Sequence, residues 1–233
     1  RHDLNFLIIK KKHMIDPSDL EYKETKKILD GRKKLNSFFS ELTNWINKQH
    51  SVNAINIIYS KIDQNRKPML QIVFKTEKDY KSFTEKGSIN ANKKNEKEII
   101  LKFKEILKRN RNIEYQTKSI YIFFTCFESV AKIEANNLIK KNEIKKLTKE
   151  LNNPDLWYIE KNFETPIFFF YTNAQKSNFI ALKQNKIYKK KYFKLIKKYD
   201  KFNCISYENF ETYFDSKENF ENNHNGNWLH YLK

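Results

Sequence analysis

Trp157-Tyr158-Ile159, Pro166-Ile167-Phe168-Phe169-Phe170-Tyr171 and the run from Gln184 to Phe202 decide the fold. The first two stretches are short and rich in aromatic residues, and they predict a strand pair. In the third, Tyr188, Tyr192, Leu195, Tyr199 and Phe202 recur three or four residues apart, the spacing that lines one side of an α-helix. Lys186, Lys190, Lys194, Lys197 and Lys201 recur the same way, about half a turn round the cylinder. The apolar helix face therefore has an apolar strand pair to pack on, and the lysines are left in water.

The same reading extends outward in both directions. Residues 4–9 predict a strand, and Asp16-Pro17-Ser18 opens a helix, with Ser18 and Glu21 at capping-box spacing. Gly31 interrupts or ends it. Leu35, Phe38, Phe39, Leu42, Trp45 and Ile46 line a second helix, and residues 54–62 and 68–75 form a hairpin turning at 63–67. Thr76 with Asp79 caps a short helix bearing Tyr80 and Phe83. Residues 86–94 form a loop, and Ile99, Ile100, Phe103, Ile106 and Leu107 mark a further helix. The polar stretch 109–116 is the natural boundary. Beyond it come a strand at 119–127, a helical pattern through Ile133, Leu138, Ile144, Leu147 and Leu151, and a break at Asn152-Asn153-Pro154-Asp155. Residues 204–207 predict a short last strand. The tail, with Phe210, Phe214, Phe220, Trp228 and Tyr231, folds back on the body.

The two halves repeat one order of elements. Phe74, Thr76 and Phe83 have counterparts in Phe170, Thr172 and Phe179 at one constant offset, and internal repeats are the first thing to seek. The fold class expected is α+β: two tandem βαββαβ (ferredoxin-like) units with antiparallel sheets and helices on one face. The first spans 1–113 and the second 114–233. The alternative is a single mixed α+β domain.

The chain has 233 residues and a formal charge of +18, which points to a polyanionic partner, RNA or DNA first. The composition favours residues with AT-rich codons, so a merely solvated surface is the competing reading. Two cysteines, Cys126 and Cys204, supply no disulfide framework and no metal-ligand spacing. None of the five histidines forms a close pair; His224 and His230 stand six apart. Three glycines leave no phosphate-cradling loop. No nucleophile elbow, calcium loop or local carboxylate constellation is present, and no apolar run reaches the roughly 18 residues of a bilayer span.

These observations lead to a non-enzymatic basic protein with no cofactor, engaging a nucleic acid through lysine-rich helix faces. The binding residues expected are Lys186, Lys190, Lys194, Lys197 and Lys201, with Lys108, Arg109 and Arg111 as a second group. A second hypothesis is a protein-interaction module of accessory, inhibitor or immunity type, using the aromatic C-terminal tail or an exposed sheet face. A third is a nuclease whose acids converge only in three dimensions. The first residue is Arg1, so the expected compartment is conditional: cytoplasmic if no signal or anchor has been removed.

Overall fold

A computed structural model of the chain describes residues 16–62, 67–84, 92–111 and 114–232. Among these residues the protein is mixed α+β, with ten helices and two three-stranded sheets. It divides into two compact units between Val130 and Ala131.

The first unit runs α1 (Leu20–Leu29), α2 (Ser37–His50), β1 (Ala54–Ile62), β2 (Lys67–Phe74), α3 (Glu77–Phe83), α4 (Lys93–Arg109) and β3 (Tyr121–Cys126). β1 and β2 form the expected hairpin, while β3 runs parallel to β2, with Ile72 beside Phe124. A parallel neighbour needs a long crossover, and α3 and α4 supply it. Leu42, Ile46, Ile57, Leu70, Ile72, Phe74, Phe103, Ile106 and Phe124 are buried together between the sheet and α2 and α4. On the other face Tyr22 of α1 stacks on Phe127, and Asn56 donates to Thr25 at 2.9 Å. Helix α1 ends where Gly31 takes φ +71° and donates to the Ile28 carbonyl, a left-handed exit that costs glycine least.

Helix α5 (Phe127–Leu138) straddles the division. The second unit continues with α6 (Lys141–Leu151), β4 (Leu156–Asn162), β5 (Thr165–Phe170), α7 (Asn173–Ala181), α8 (Asn185–Ile196), β6 (Tyr213–Ser216), α9 (Lys217–His224) and α10 (Trp228–Tyr231). β4 and β5 are antiparallel, and β6 lies parallel to β5. Leu147, Leu156, Phe168, Phe170, Phe179, Tyr188, Tyr192 and Leu195 are buried on one side of this sheet. Ile167, Phe169 and Phe220 are buried on the other, with Trp157, Trp228 and Tyr231 packed against them.

Several expectations are thereby redrawn. The sheets are mixed, where antiparallel ones were expected, and packing covers both faces, because β5 is apolar and buried from Pro166 to Phe170. The strand expected to open the second unit, at 119–127, is β3 and pairs with β2 of the first. No strand forms at 204–207; the last one is β6. Helix α1 starts at Leu20 behind Asp19, with Asp16 accepting from the Ser18 N–H at 2.7 Å. The pattern through 133–151 is two helices. The Lys161 ammonium ends the first by reaching the carbonyls of Asn136, Asn137 and Ile139 at 3.3, 3.2 and 2.7 Å, as a cation at a helix C-terminus can. The strand at 4–9, most of the turn at 63–67 and most of the loop at 86–94 lie outside the described residues.

The two units share internal wiring. Phe74 and Phe83 pack with ring centroids 4.7 Å apart and planes at 40°, and so do Phe170 and Phe179. Thr76 and Thr172 each cap the helix after the hairpin, accepting from the N–H three residues on at 3.2 Å. Glu128 and Glu218 each donate a backbone N–H to the residue after the strand, Lys75 or Tyr171, at 3.2 Å. Each also accepts the first N–H of the helix, from Glu77 at 3.0 Å or Asn173 at 2.9 Å.

Candidate nucleic-acid interface

Helix α8 carries three of the six lysines expected to bind. Its inner side is fixed by the sheet: Tyr188 meets Phe168 edge-on at 5.1 Å, and the Tyr192 hydroxyl donates to Asn136 Oδ1 at 2.7 Å. Burial pushes both phenols above their usual range, so these tyrosines are core groups and offer no stacking platform. The outer side presents Lys186, Lys190 and Lys194, all exposed. Among the described residues none of the three has a carboxylate partner. The surrounding sequence explains this, because residues 165–199 hold nine lysines and no aspartate or glutamate. Uncompensated charge of one sign concentrated on one surface is what raises the local potential.

The other expected residues divide by what holds them. Helix α8 ends at Ile196, short of the expected Phe202. Lys197, at its C-cap, turns inward and donates to Asp200 Oδ2 at 2.6 Å, Asn203 Oδ1 at 2.5 Å and the Ile205 carbonyl at 2.9 Å. The same aspartate accepts the N–H groups of Cys204 and Ile205 at 2.7 and 2.9 Å. This knot stops the helix, and it takes Lys197 out of the exposed stripe. Lys201 lies beyond the helix, its ammonium over the Phe202 ring at 5.3 Å. Of the neighbours, Lys191 donates to the Glu150 carbonyl at 2.6 Å, and Lys189 sits over Tyr207 at 4.8 Å.

In the first unit Arg109 is ion-paired with Glu41, which raises its guanidinium further above its ordinary range. Lys108 is exposed in the last turn of α4, and Arg111 lies past the helix end at φ +49°. Helix α4 interleaves its lysines with Glu96, Glu98 and Glu105, and Lys102 pairs with Glu105 at 2.7 Å. Helix α4 thus lacks a carboxylate-free run like that around α8.

The rival constellations are equally concrete. A cavity of about 290 Å³ in the first unit is lined by Glu21, Glu24, Lys33 and Lys34 among others. Its Glu24 carboxylate is bonded by Lys27 at 2.5 Å and Lys33 at 2.6 Å. Those two ammonium groups hold it at about 2, so it is a fixed anion and not a proton carrier near neutral pH. Among the described residues no three His, Cys, Asp or Glu side chains gather as metal ligands. The Cys126 thiol is buried, and burial pushes its pKa up. In the tail, Phe210 and Phe220 are buried and Phe214 and Trp228 are packed against core. These rings therefore form no exposed aromatic patch. No helix among the described residues is long and apolar enough to cross a membrane.

The chain matches no protein-family model, no curated protein and no solved structure.

Proposed function

We propose that the second unit binds nucleic acid through the outer face of α8, with Lys186, Lys190 and Lys194 as phosphate contacts. The observation that carries this reading is the run of nine lysines without a carboxylate between residues 165 and 199, together with the exposure of these three. Lysine on phosphate positions without reading bases, so the binding is electrostatic and weakly sequence-specific. We also propose that the two units are copies of one ancestral α+β unit, with the ferredoxin-like βαββαβ order as its pattern. The matched phenylalanine pairs, threonine caps and Glu128/Glu218 wiring support the duplication. On that reading α4 and α8 occupy equivalent places. Their contrast, acids kept in one and absent from the other, marks where function has specialised.

The test is fluorescence anisotropy with labelled single- and double-stranded RNA and DNA at two salt concentrations, plus a magnesium lane read for cleavage. The expected result is salt-sensitive binding without cleavage. Changing Lys186, Lys190 and Lys194 together to Gln should flatten the log–log salt slope by about two to three, at roughly 0.7–0.9 per phosphate contact. Unchanged affinity in the triple variant would overturn the assignment of this face. Cleavage in magnesium would promote the nuclease reading, and absence of binding at low salt would turn the search to protein partners.

A further inference from the structure

Beside the lysine face the second unit holds a polar cavity of about 400 Å³, within the size range of small-ligand sites, roughly 300–1,000 Å³. Asn152, Asn153 and Asp155, after α6, supply one wall. Gln175, Asn178 and Phe179 of α7 supply another, and Gln184, at the N-cap of α8, closes it with Ile187, Tyr188 and Lys191 of that helix. Two apolar side chains at its margin are open to solvent, Leu182 at 61% and Ile187 at 55%.

The polar groups here are only partly committed. Gln175 donates to Asp155 Oδ1 at 2.8 Å, and Asn153 donates to the Tyr188 hydroxyl at 2.9 Å. That hydroxyl accepts, which leaves its own proton to donate. Among the described residues the Asn178 and Gln184 amides and Asp155 Oδ2 have no hydrogen-bond partner. The cavity therefore offers amide donors and acceptors, one carboxylate acceptor and an apolar margin. The carboxylate disfavours a phosphate inside, and the Lys191 ammonium on the wall is already held by the Glu150 carbonyl at 2.6 Å. An unpaired nucleobase suits it, having N–H and carbonyl edges for amides and a flat apolar face for Leu182 and Ile187. Ile187 lies next to Lys186 in the same helix, so a base in the cavity places its backbone phosphates toward the lysine face.

We infer that this cavity takes one unpaired base of a single-stranded nucleic acid whose phosphates lie on Lys186 and Lys190, a specificity that rests on the nucleic-acid reading above. The measurement is anisotropy of a labelled twelve-nucleotide single strand and its duplex against three proteins: the parent chain, Asn178→Ala with Ile187→Ala, and the triple lysine variant. Circular dichroism checks that each is folded. Both cavity changes fall on exposed side chains. Should that pair nonetheless unfold, Gln184→Ala alone takes its place.

The expected result is a loss of single-strand affinity of at least about fivefold in the cavity variant, the lower end of what one recognised base is worth, with duplex affinity unchanged. A cavity variant that weakens neither substrate, or both equally, overturns the inference, while a weakened lysine variant leaves the phosphate reading standing. A lysine variant that binds both substrates like the parent overturns both. Titrating the labelled parent chain with nucleoside monophosphates gives a second readout: side-chain amide resonances of Asn178 and Gln184 should shift in an NMR spectrum, and no shift up to millimolar nucleotide would count against the cavity.

Discussion

Replacing Lys197 by Met separates the structural lysine of α8 from the exposed ones. The change keeps the aliphatic stem and deletes an ammonium that serves Asp200, Asn203 and the Ile205 carbonyl. The Asp200 side chain is 2% exposed and that of Lys197 is 33% exposed. Breaking a fully buried ion pair on one side costs about 3–5 kcal/mol, and an exposed pair is worth about 0–1 kcal/mol. This pair lies between those limits, because water reaches the lysine and Asp200 keeps the N–H groups of Cys204 and Ile205. A loss of about 1–3 kcal/mol follows, which lowers Tm by about 2–12 °C for a chain of this size. Thermal unfolding followed by circular dichroism reads it, with Lys190→Met and Lys194→Met as controls expected within about 0.5 kcal/mol of the parent. Equal Tm for Lys197→Met and the controls would refute the division of the stripe into one inward and several outward lysines. It would also restore Lys197 to the binding face.

Three further outcomes follow from the packing. Tyr192→Phe removes the hydroxyl that donates to Asn136, leaving a buried amide oxygen short of a donor, and should cost about 1–3 kcal/mol in urea unfolding; a variant as stable as the parent would show that Asn136 finds another donor. Asp215 is pushed up by burial, but Tyr231, Asn219, the Ser216 N–H and Lys176 together draw its carboxyl below the usual range. Because its folded pKa is depressed, its stabilisation is complete above its unfolded value and is lost as pH falls through the folded one. Below about pH 4 the α10 segment should therefore loosen. Trp228 fluorescence would report this, and an Asp215→Asn protein showing the same acid transition would exclude Asp215 as its source. Glu218→Gln weakens the charge-assisted bond to the Asn173 N–H at the start of α7 and should destabilise the second unit by about 0.5–1 kcal/mol. Glu128→Gln should have a comparable effect in the first.

The hairpin β4–β5 is legible in the sequence as two short aromatic-rich runs, and the tyrosine side of α8 because period-3.6 burial leaves a direct trace in residue order. The end of α8 is not, since lysines and a tyrosine continue the pattern past Ile196 and only the Asp200 carboxylate, bonded to groups further along, stops it. Neither is β6: four residues carry little periodicity, and its parallel place beside β5 depends on a crossover of two helices. The division after Val130 escapes for the same reason, as β3 reads equally well as the start of a second unit or the end of a first. The exposed lysines are legible, and the carboxylate-free run around them is the sharper sequence signal. The cavity is not, because Asn153, Asn178 and Gln184 come from separate elements and meet only in the fold.

Lys161 and Lys197 point their ammonium groups at backbone carbonyls and side-chain oxygens within the second unit, while Lys186, Lys190 and Lys194 point theirs at water. The two sets are chemically different reagents. Acylation of the outer three erases charge and leaves the fold untouched, so the charge of that face is adjustable after the chain has folded. Acylation of either inner lysine requires its ammonium to give up those oxygen partners first, and once made it would keep the bonds from re-forming. An acylating reagent at limiting dose therefore distinguishes charge that belongs to the surface from charge that belongs to the architecture, lysine by lysine.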